Sequence, residues 1–223
     1  MRSVAIDGPA GAGKSTLAKQ AAKALGFLYV DTGAIYRTVA LKAVRAGADP
    51  VDPAQVVPLL ENLDLRMDYG PDGEQRMFLE GEDVSSAIRE HKISGLASKV
   101  SAIPEVRAFL LDFQRKLARE HDVLMDGRDI GTVVLPHADV KVFLTAAPEA
   151  RARRRLRDLE LRGQQADYDT VLRDIIARDE QDRNRPIAPL RQAEDAVLLD
   201  TTNLDLAASL EALLAIIKEK IDL

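Results

Sequence analysis

Residues 3–16 read SVAIDGPAGAGKST, a short apolar run that leads into a glycine-rich loop, one lysine and two hydroxyls. Gly8, Gly13, Lys14 and Ser15 stand at the spacing of the phosphate-binding pattern G-x-x-x-x-G-K-[ST]. The pattern carries weight when a strand precedes it and a helix follows, and the flanks predict both. Residues 3–7 read as a buried strand, and apolar residues recur at helical spacing over 17–25. Gly8, Gly11 and Gly13 let the backbone take positive φ and pass close to an anion, so that loop N–H groups point at phosphate oxygens. Lys14 is read as a solvent-reaching charge aimed at the β- and γ-phosphates. The Ser15 hydroxyl is read as a ligand of Mg²⁺, and the helix that starts there adds positive potential. This predicts nucleoside triphosphate binding and leaves kinase, switch and motor open.

Outward from the loop, Gly26 ends the first helix and residues 27–30 form a second short strand, followed by Asp31, Thr32, Gly33 and an amphipathic helix to Gly47. Strand, helix, strand is the building block of a parallel sheet. Residues 123–125, 140–144 and 196–199 add three apolar runs separated by helical stretches. The fold class is therefore α/β, with a five-stranded parallel sheet and helices on both faces. Alternation on either side of a Pro/Gly turn in residues 62–84 predicts a small antiparallel insert. The amphipathic stretch 204–223 is expected to pack on the sheet, with no further role.

A chain of 223 residues suits one such domain with insertions, and 46% hydrophobic with 30% charged residues suits a soluble globular protein. A formal net charge of −5 argues against general nucleic-acid binding, which needs a basic surface to displace counterions. There is no cysteine, hence no disulfide or thiolate chemistry. His91, His121 and His137 lack metal-ligand spacing and are read as surface or core residues. Neither a signal peptide nor an apolar run long enough to cross a bilayer is present, so a cytoplasmic location is expected.

Four further groups lie at or just beyond predicted strand ends, where open α/β sheets bind ligands. In Asp31-Thr32-Gly33-Ala34-Ile35-Tyr36-Arg37, simple N-capping explains Asp31 or Thr32 but not Arg37. Met125-Asp126-Gly127-Arg128-Asp129 is either a strand-ending turn or a site in which Asp126 helps hold Mg²⁺ through water. Arg151, Arg153, Arg154, Arg155, Arg157 and Arg162 fall on one predicted helix, as a solvated face or a phosphate clamp. Arg178, Asp182 and Arg185 recur at helical spacing before Pro186, either as an ion-pair ladder or as a substrate site.

Taken together, GPAGAGKST, DTGAIYR, LEGEDVSSAIR, ASKVSAIPEVR, DGRDIGTVVLP and RDEQDRNRPIAPL, in this order and spacing, resemble the bacterial cytidylate kinases, a family of phosphate-loop nucleoside monophosphate kinases. The resemblance implies one kinase domain over 1–223, with a monophosphate-binding insert at about 38–100 and a helical lid at about 151–186. It implies ATP binding by Gly8, Pro9, Ala10, Gly11, Ala12, Gly13, Lys14, Ser15 and Thr16, with Mg²⁺ on Ser15. Thr32 and Arg37 would hold the acceptor phosphate, Ser98, Arg107, Asp129 and Arg185 the cytosine, Arg178 a phosphate and Asp182 the ribose. Arg151 and Arg154 would close over the transferring phosphoryl group, and Lys14, Arg128 and Arg178 would complete the catalytic set. The implied reaction is ATP-dependent phosphorylation of CMP and dCMP by a monomer that binds neither nucleic acid nor membrane. A kinase for UMP, AMP or a shikimate-type acceptor is the alternative. A GTP switch is disfavoured because no Asn/Thr-Lys-x-Asp guanine-reading motif occurs, and an RNA binder because only 4% of residues are aromatic.

Overall fold

The computed structural model describes residues 1–161 and 163–221, together with all their side chains except those of His91 and Ser94. The expectations for Arg162, for the His91 side chain and for the last two residues of the C-terminal helix lie outside the described residues. Along the chain run β1 (Ser3–Asp7), α1 (Lys14–Leu25), β2 (Leu28–Asp31), α2 (Thr32–Arg45), α3 (Pro53–Val56), β3 (Leu65–Tyr69), β4 (Gln75–Leu79) and β5 (Glu82–Asp83). There follow α4 (His91–Ser94), α5 (Ala97–Val100), α6 (Pro104–Glu120), β6 (Val123–Gly127), β7 (Val140–Thr145), α7 (Pro148–Leu161), α8 (Tyr168–Asn184), β8 (Val197–Asp200) and α9 (Leu206–Ile221). The chain forms two compact units, residues 1–29 with 118–223, and residues 30–117.

The first unit is built on a five-stranded parallel sheet in the order β2-β6-β1-β7-β8; β2 runs on into the second unit. Val4, Ala5 and Ile6 are all buried, which is why β1 reads as a continuous apolar run rather than an alternating one. Its register, Ile6 opposite Asp126 and Val142, and Asp7 opposite Gly127, lines up three chain exits along one edge of the sheet. On one face Leu17, Ala18, Ala21 and Ala22 of α1 and Leu213, Ile217 and Ile221 of α9 pack on Val4, Ile6, Leu124, Val142 and Leu144. The C-terminal helix therefore does pack on the sheet, as its pattern predicts. Helices α7 and α8 pack on each other around Ala152, Val171 and Ile175.

The second unit holds α2 and the antiparallel sheet β3-β4-β5. Leu65 pairs with Leu79 and Tyr69 with Gln75 across the turn at residues 70–74, the hairpin that the Pro/Gly cluster predicts. Alternate residues of β4, Gln75, Met77 and Leu79, are buried. Ion pairs Arg45–Glu82 and Lys42–Glu80 join α2 to the far edge of this sheet. Among the described residues, no helix is long and apolar enough to cross a membrane.

Gly8 shows what the loop requires of its first residue. Its φ is +151°, and a Cβ there would lie 1.9 Å from the Leu144 carbonyl oxygen of β7. Backbone on both sides leaves no flexible neighbour to yield. Gly8→Ala is expected to destabilise the protein by about 3 kcal/mol or more, the range of severe core overpacking. Urea unfolding checks this, and an unchanged midpoint would show that the loop relaxes freely.

Candidate active site

At the carboxyl end of β1 the chain turns through Gly11 and Gly13, at φ +73° and +86°, and enters α1 at Lys14. The Lys14 side chain curls back, and Nζ donates to the Pro9 carbonyl oxygen at 2.8 Å. The residue is only 5% exposed, so it is not the solvent-reaching charge expected from the sequence. The reason is local: an inward-facing carbonyl of the loop accepts from the ammonium. Burial pushes that ammonium down to about 7, helped by the Arg128 cation and opposed by Asp126, Asp7 and Asp182. Next to it the Ser15 hydroxyl donates to Asp126 at 2.8 Å, and the other Asp126 oxygen accepts from the Tyr29 hydroxyl at 2.9 Å. A hydroxyl and a carboxylate side by side are a donor set that suits hydrated Mg²⁺.

The segment after β6 is held from two directions. Asp7, buried at the tip of β1, accepts from the Ile130 and Gly131 N–H groups at 2.7 Å each. These amides open a turn at Ile130–Val134 in which the Asp129 carbonyl accepts from both Val133 and Val134. Beyond α8, Arg185 donates to Asp129 at 3.0 Å, while Asp182 accepts from Arg128 at 2.7 Å. The Asp182 and Arg185 pairs thus cross to the sheet edge, unlike a ladder along the helix. Arg185 has left the helix, with ψ 138°, because the proline that follows disfavours helical geometry.

The arginines of α7 divide sharply. Arg151 is 2% exposed, grips both oxygens of Asp179 at 2.5 and 3.0 Å, and donates to the carbonyl oxygens of Ala146 and Ala10. Arg154 donates to Thr201 and to the Leu204 carbonyl beyond β8. Arg153, Arg155 and Arg157 are exposed, as is Arg178 on α8. A cavity of about 310 Å³ opens beside Arg151 and Asp179, lined also by Thr145, Asp200 and Thr202.

In the second unit Asp31 caps α2, accepting from Ala34 N–H at 2.9 Å, and its other oxygen accepts from Arg37 at 2.8 Å. The capping reading is thus realised by Asp31, and Arg37, which capping leaves unexplained, pairs with the same carboxylate. Arg37 keeps a buried Nε with no hydrogen-bond partner among the described residues. Thr32 is buried at the first turn of the same helix. Arg107 is buried on α6, its guanidinium over the Tyr36 ring at 5.8 Å, and Ser98 is half-buried on α5.

Residues 4–219 match the cytidylate kinase family. The chain belongs to the cytidylate kinase family. A cytidylate kinase of Carboxydothermus hydrogenoformans is 48% identical over 98% of both chains. That of Caldanaerobacter subterraneus is 51% identical over 90% of this chain and 88% of its own. The solved structure of an uncharacterized protein from Eubacterium ventriosum is 12% identical, covering 99% of this chain and 98% of that one with a TM-score of 0.51, a likeness of fold alone.

In this family member, three residues that the sequence reading passed over take part in the arrangement: Asp7, Asp179 and Gln75. Asp7 is a carboxylate closing an otherwise apolar buried strand, and that alone was a signal. Asp179 follows Val171 and Ile175 at four-residue steps, so the apolar stripe of α8 predicts its burial. Gln75 stands at an inward position of β4.

Burial, partly offset by the two amides, pushes the Asp7 carboxyl up to about 6. The unfolded value is near 4, so between those values the folded state holds the extra proton, and stability from Asp7 is lost as pH rises through 6. An amide at this position does not titrate. The stability of Asp7→Asn relative to the parent should therefore rise by about 2 kcal/mol from about pH 4 to about pH 6.5. Urea melts of both proteins across that range test the sign, and a flat difference would remove Asp7 as a titrating group.

Proposed function

We propose that the chain transfers the γ-phosphoryl group of ATP to CMP and dCMP, giving ADP with CDP or dCDP. The observation that carries this reading is the Ser15–Asp126 pair beside the buried Lys14, at the carboxyl end of the central strand. Phosphoryl transfer asks a protein for in-line positioning and for neutralisation of charge on the equatorial oxygens, not for covalent chemistry. The acceptor phosphate is already anionic, so no residue need act as a strong base.

In this reading the backbone of Gly8 to Thr16 cradles the ATP phosphates, and Lys14 exchanges the Pro9 carbonyl for a phosphate oxygen. Ser15, with Asp126 through water, would hold Mg²⁺, which supplies charge neutralisation between the phosphates. Thr32 and Arg37 take the acceptor phosphate; the unpartnered Arg37 Nε is a donor with no other acceptor. Arg128, Arg151, Arg154 and Arg178 complete the cationic set of the lid and the transfer site. Asp182 takes the ribose hydroxyls, and Ser98, Arg107, Asp129 and Arg185 read the base. The enzyme works as a cytoplasmic monomer whose partners are nucleotides.

Base choice follows from hydrogen-bond polarity. Cytosine offers an amino donor at N4 beside acceptors at N3 and O2, which one carboxylate and arginines satisfy. Uracil turns its O4 acceptor toward the carboxylate and its N3–H toward a donor. One or two buried mismatches at about 1–3 kcal/mol each put UMP roughly one to four decades below CMP in kcat/KM. A coupled assay with CMP, dCMP, UMP, AMP and shikimate should show turnover concentrated on the first two. Asp129→Asn should narrow the CMP-to-UMP ratio, chiefly by weakening CMP; an unchanged ratio would remove Asp129 from base recognition.

Lys14→Ala should lower kcat by about a hundred-fold or more, the usual scale for losing one preorganised donor to transition-state charge. Its melting temperature should change little, because the substitution also removes a cation whose burial is unfavourable. Near-normal turnover would refute the assignment of Lys14.

A further inference from the structure

Gln75 occupies the first inward position of β4, where the alternation that buries Met77 and Leu79 calls for an apolar side chain. It is 7% exposed. A primary amide brought out of water is costly unless its donors and acceptor are met. They are met by one residue's backbone: the Asp31 N–H donates to Gln75 Oε1 at 2.7 Å, and Gln75 Nε2 donates to the Asp31 carbonyl oxygen at 3.3 Å. The orientation of the amide is not ambiguous, since a backbone N–H only donates and a carbonyl only accepts. Nε2 also approaches the Met77 sulfur at 3.3 Å. The side chain thereby acts as one peptide unit of a neighbouring strand, paired with the last residue of β2.

Asp31 is the residue on which the acceptor segment hinges. Its backbone leaves β2 as the N-cap of α2, with φ −77° and ψ 96°, and its two carboxylate oxygens hold Ala34 N–H and Arg37 Nη2. With the backbone clamped at both polar groups, the carboxylate direction is set. The guanidinium that it grips is then presented with Nε buried and unpartnered among the described residues. The chain of contacts runs from the antiparallel sheet through an amide and a cap to one arginine.

We propose that Gln75 is a positioning residue for the acceptor phosphate: by clamping the Asp31 backbone it fixes the orientation in which Arg37 meets that phosphate. The inference rests on the reading of Arg37 as a ligand of the acceptor phosphate. It gives the antiparallel sheet a part in substrate binding through a residue that touches no substrate.

Steady-state kinetics of Gln75→Met, Gln75→Glu and Arg37→Lys test it, with thermal melts to confirm folding. Methionine keeps length and burial but cannot clamp, so KM for CMP should rise about ten-fold, as expected for two modest hydrogen bonds lost, while KM for ATP stays within about two-fold. Glutamate can accept from the Asp31 N–H but opposes the Asp31 carbonyl until it is protonated. Its KM for CMP, relative to the parent at the same pH, should therefore fall toward one as pH drops from about 8 to about 5.5. A purely structural role predicts instead equal rises for ATP and CMP with a lowered melting temperature, and would overturn the proposal. So would an unchanged KM for CMP in folded Gln75→Met while Arg37→Lys raises it. If Arg37→Lys also leaves that KM unchanged, the failure belongs to the acceptor-phosphate reading, and the inference falls with it.

Discussion

Lys14 is a cation held out of water by its own loop, and much else at the strand ends follows from keeping it there. Among the described residues the ammonium has one carbonyl acceptor, and burial, with the Arg128 cation beside it, lowers its pKa to about 7. The cost of burial is tolerable because the carboxylates of Asp126, Asp7 and Asp182 stand near enough to oppose it. Each of these is in turn held by a different segment: Asp126 by Ser15 and Tyr29, Asp7 by the turn after β6, Asp182 by Arg128. The field that stabilises one lysine thus ties together the loop, the β6 exit and helix α8.

Buried charges arranged this way contribute little net stability, because each pair gives up about as much hydration as it regains in attraction. Removing one partner is another matter, since the survivor stays buried and unpaired. The arrangement is better understood as preorganisation. Arg128, Arg151 and Arg185 are already fixed in direction by Asp182, Asp179 and Asp129. In the proposed reading, ATP and the acceptor phosphate would meet Arg128 and Arg151 with their orientation already set, so that little reorganisation would remain at transfer.

The architecture was readable from residue pattern because burial on both sheet faces leaves continuous apolar runs, and because glycine, lysine and serine at fixed spacing have few other uses. The five-stranded parallel sheet and the small antiparallel sheet are both found. Strand ends moved by a residue or two, as at Gly127 and Asp200, where polar residues extend a ladder that side-chain pattern cannot see. The pairing of charges was less readable. Arg178, Asp182 and Arg185 have helical spacing, yet Asp182 and Arg185 reach partners more than fifty residues away. Periodicity reports which face a residue occupies and is silent on what faces it.

The arginine helix shows that limit most clearly. Six arginines in a row of twelve residues suggest a strained array of like charge, yet Arg151 sits in the interior with its carboxylate supplied by Asp179 of the neighbouring helix. Arg151 also donates to Ala10, so the first turn of α7 is hydrogen-bonded to the phosphate loop itself. Arg154, one turn along, is occupied by the carbonyls that follow β8. The like-charge density thus falls on Arg153, Arg155 and Arg157, which water solvates. The buried side of α7 is held along its length, by the hydrogen bonds of Arg151 and Arg154 and by Leu156 and Leu159 against α8, so the charge is confined to the face that water covers.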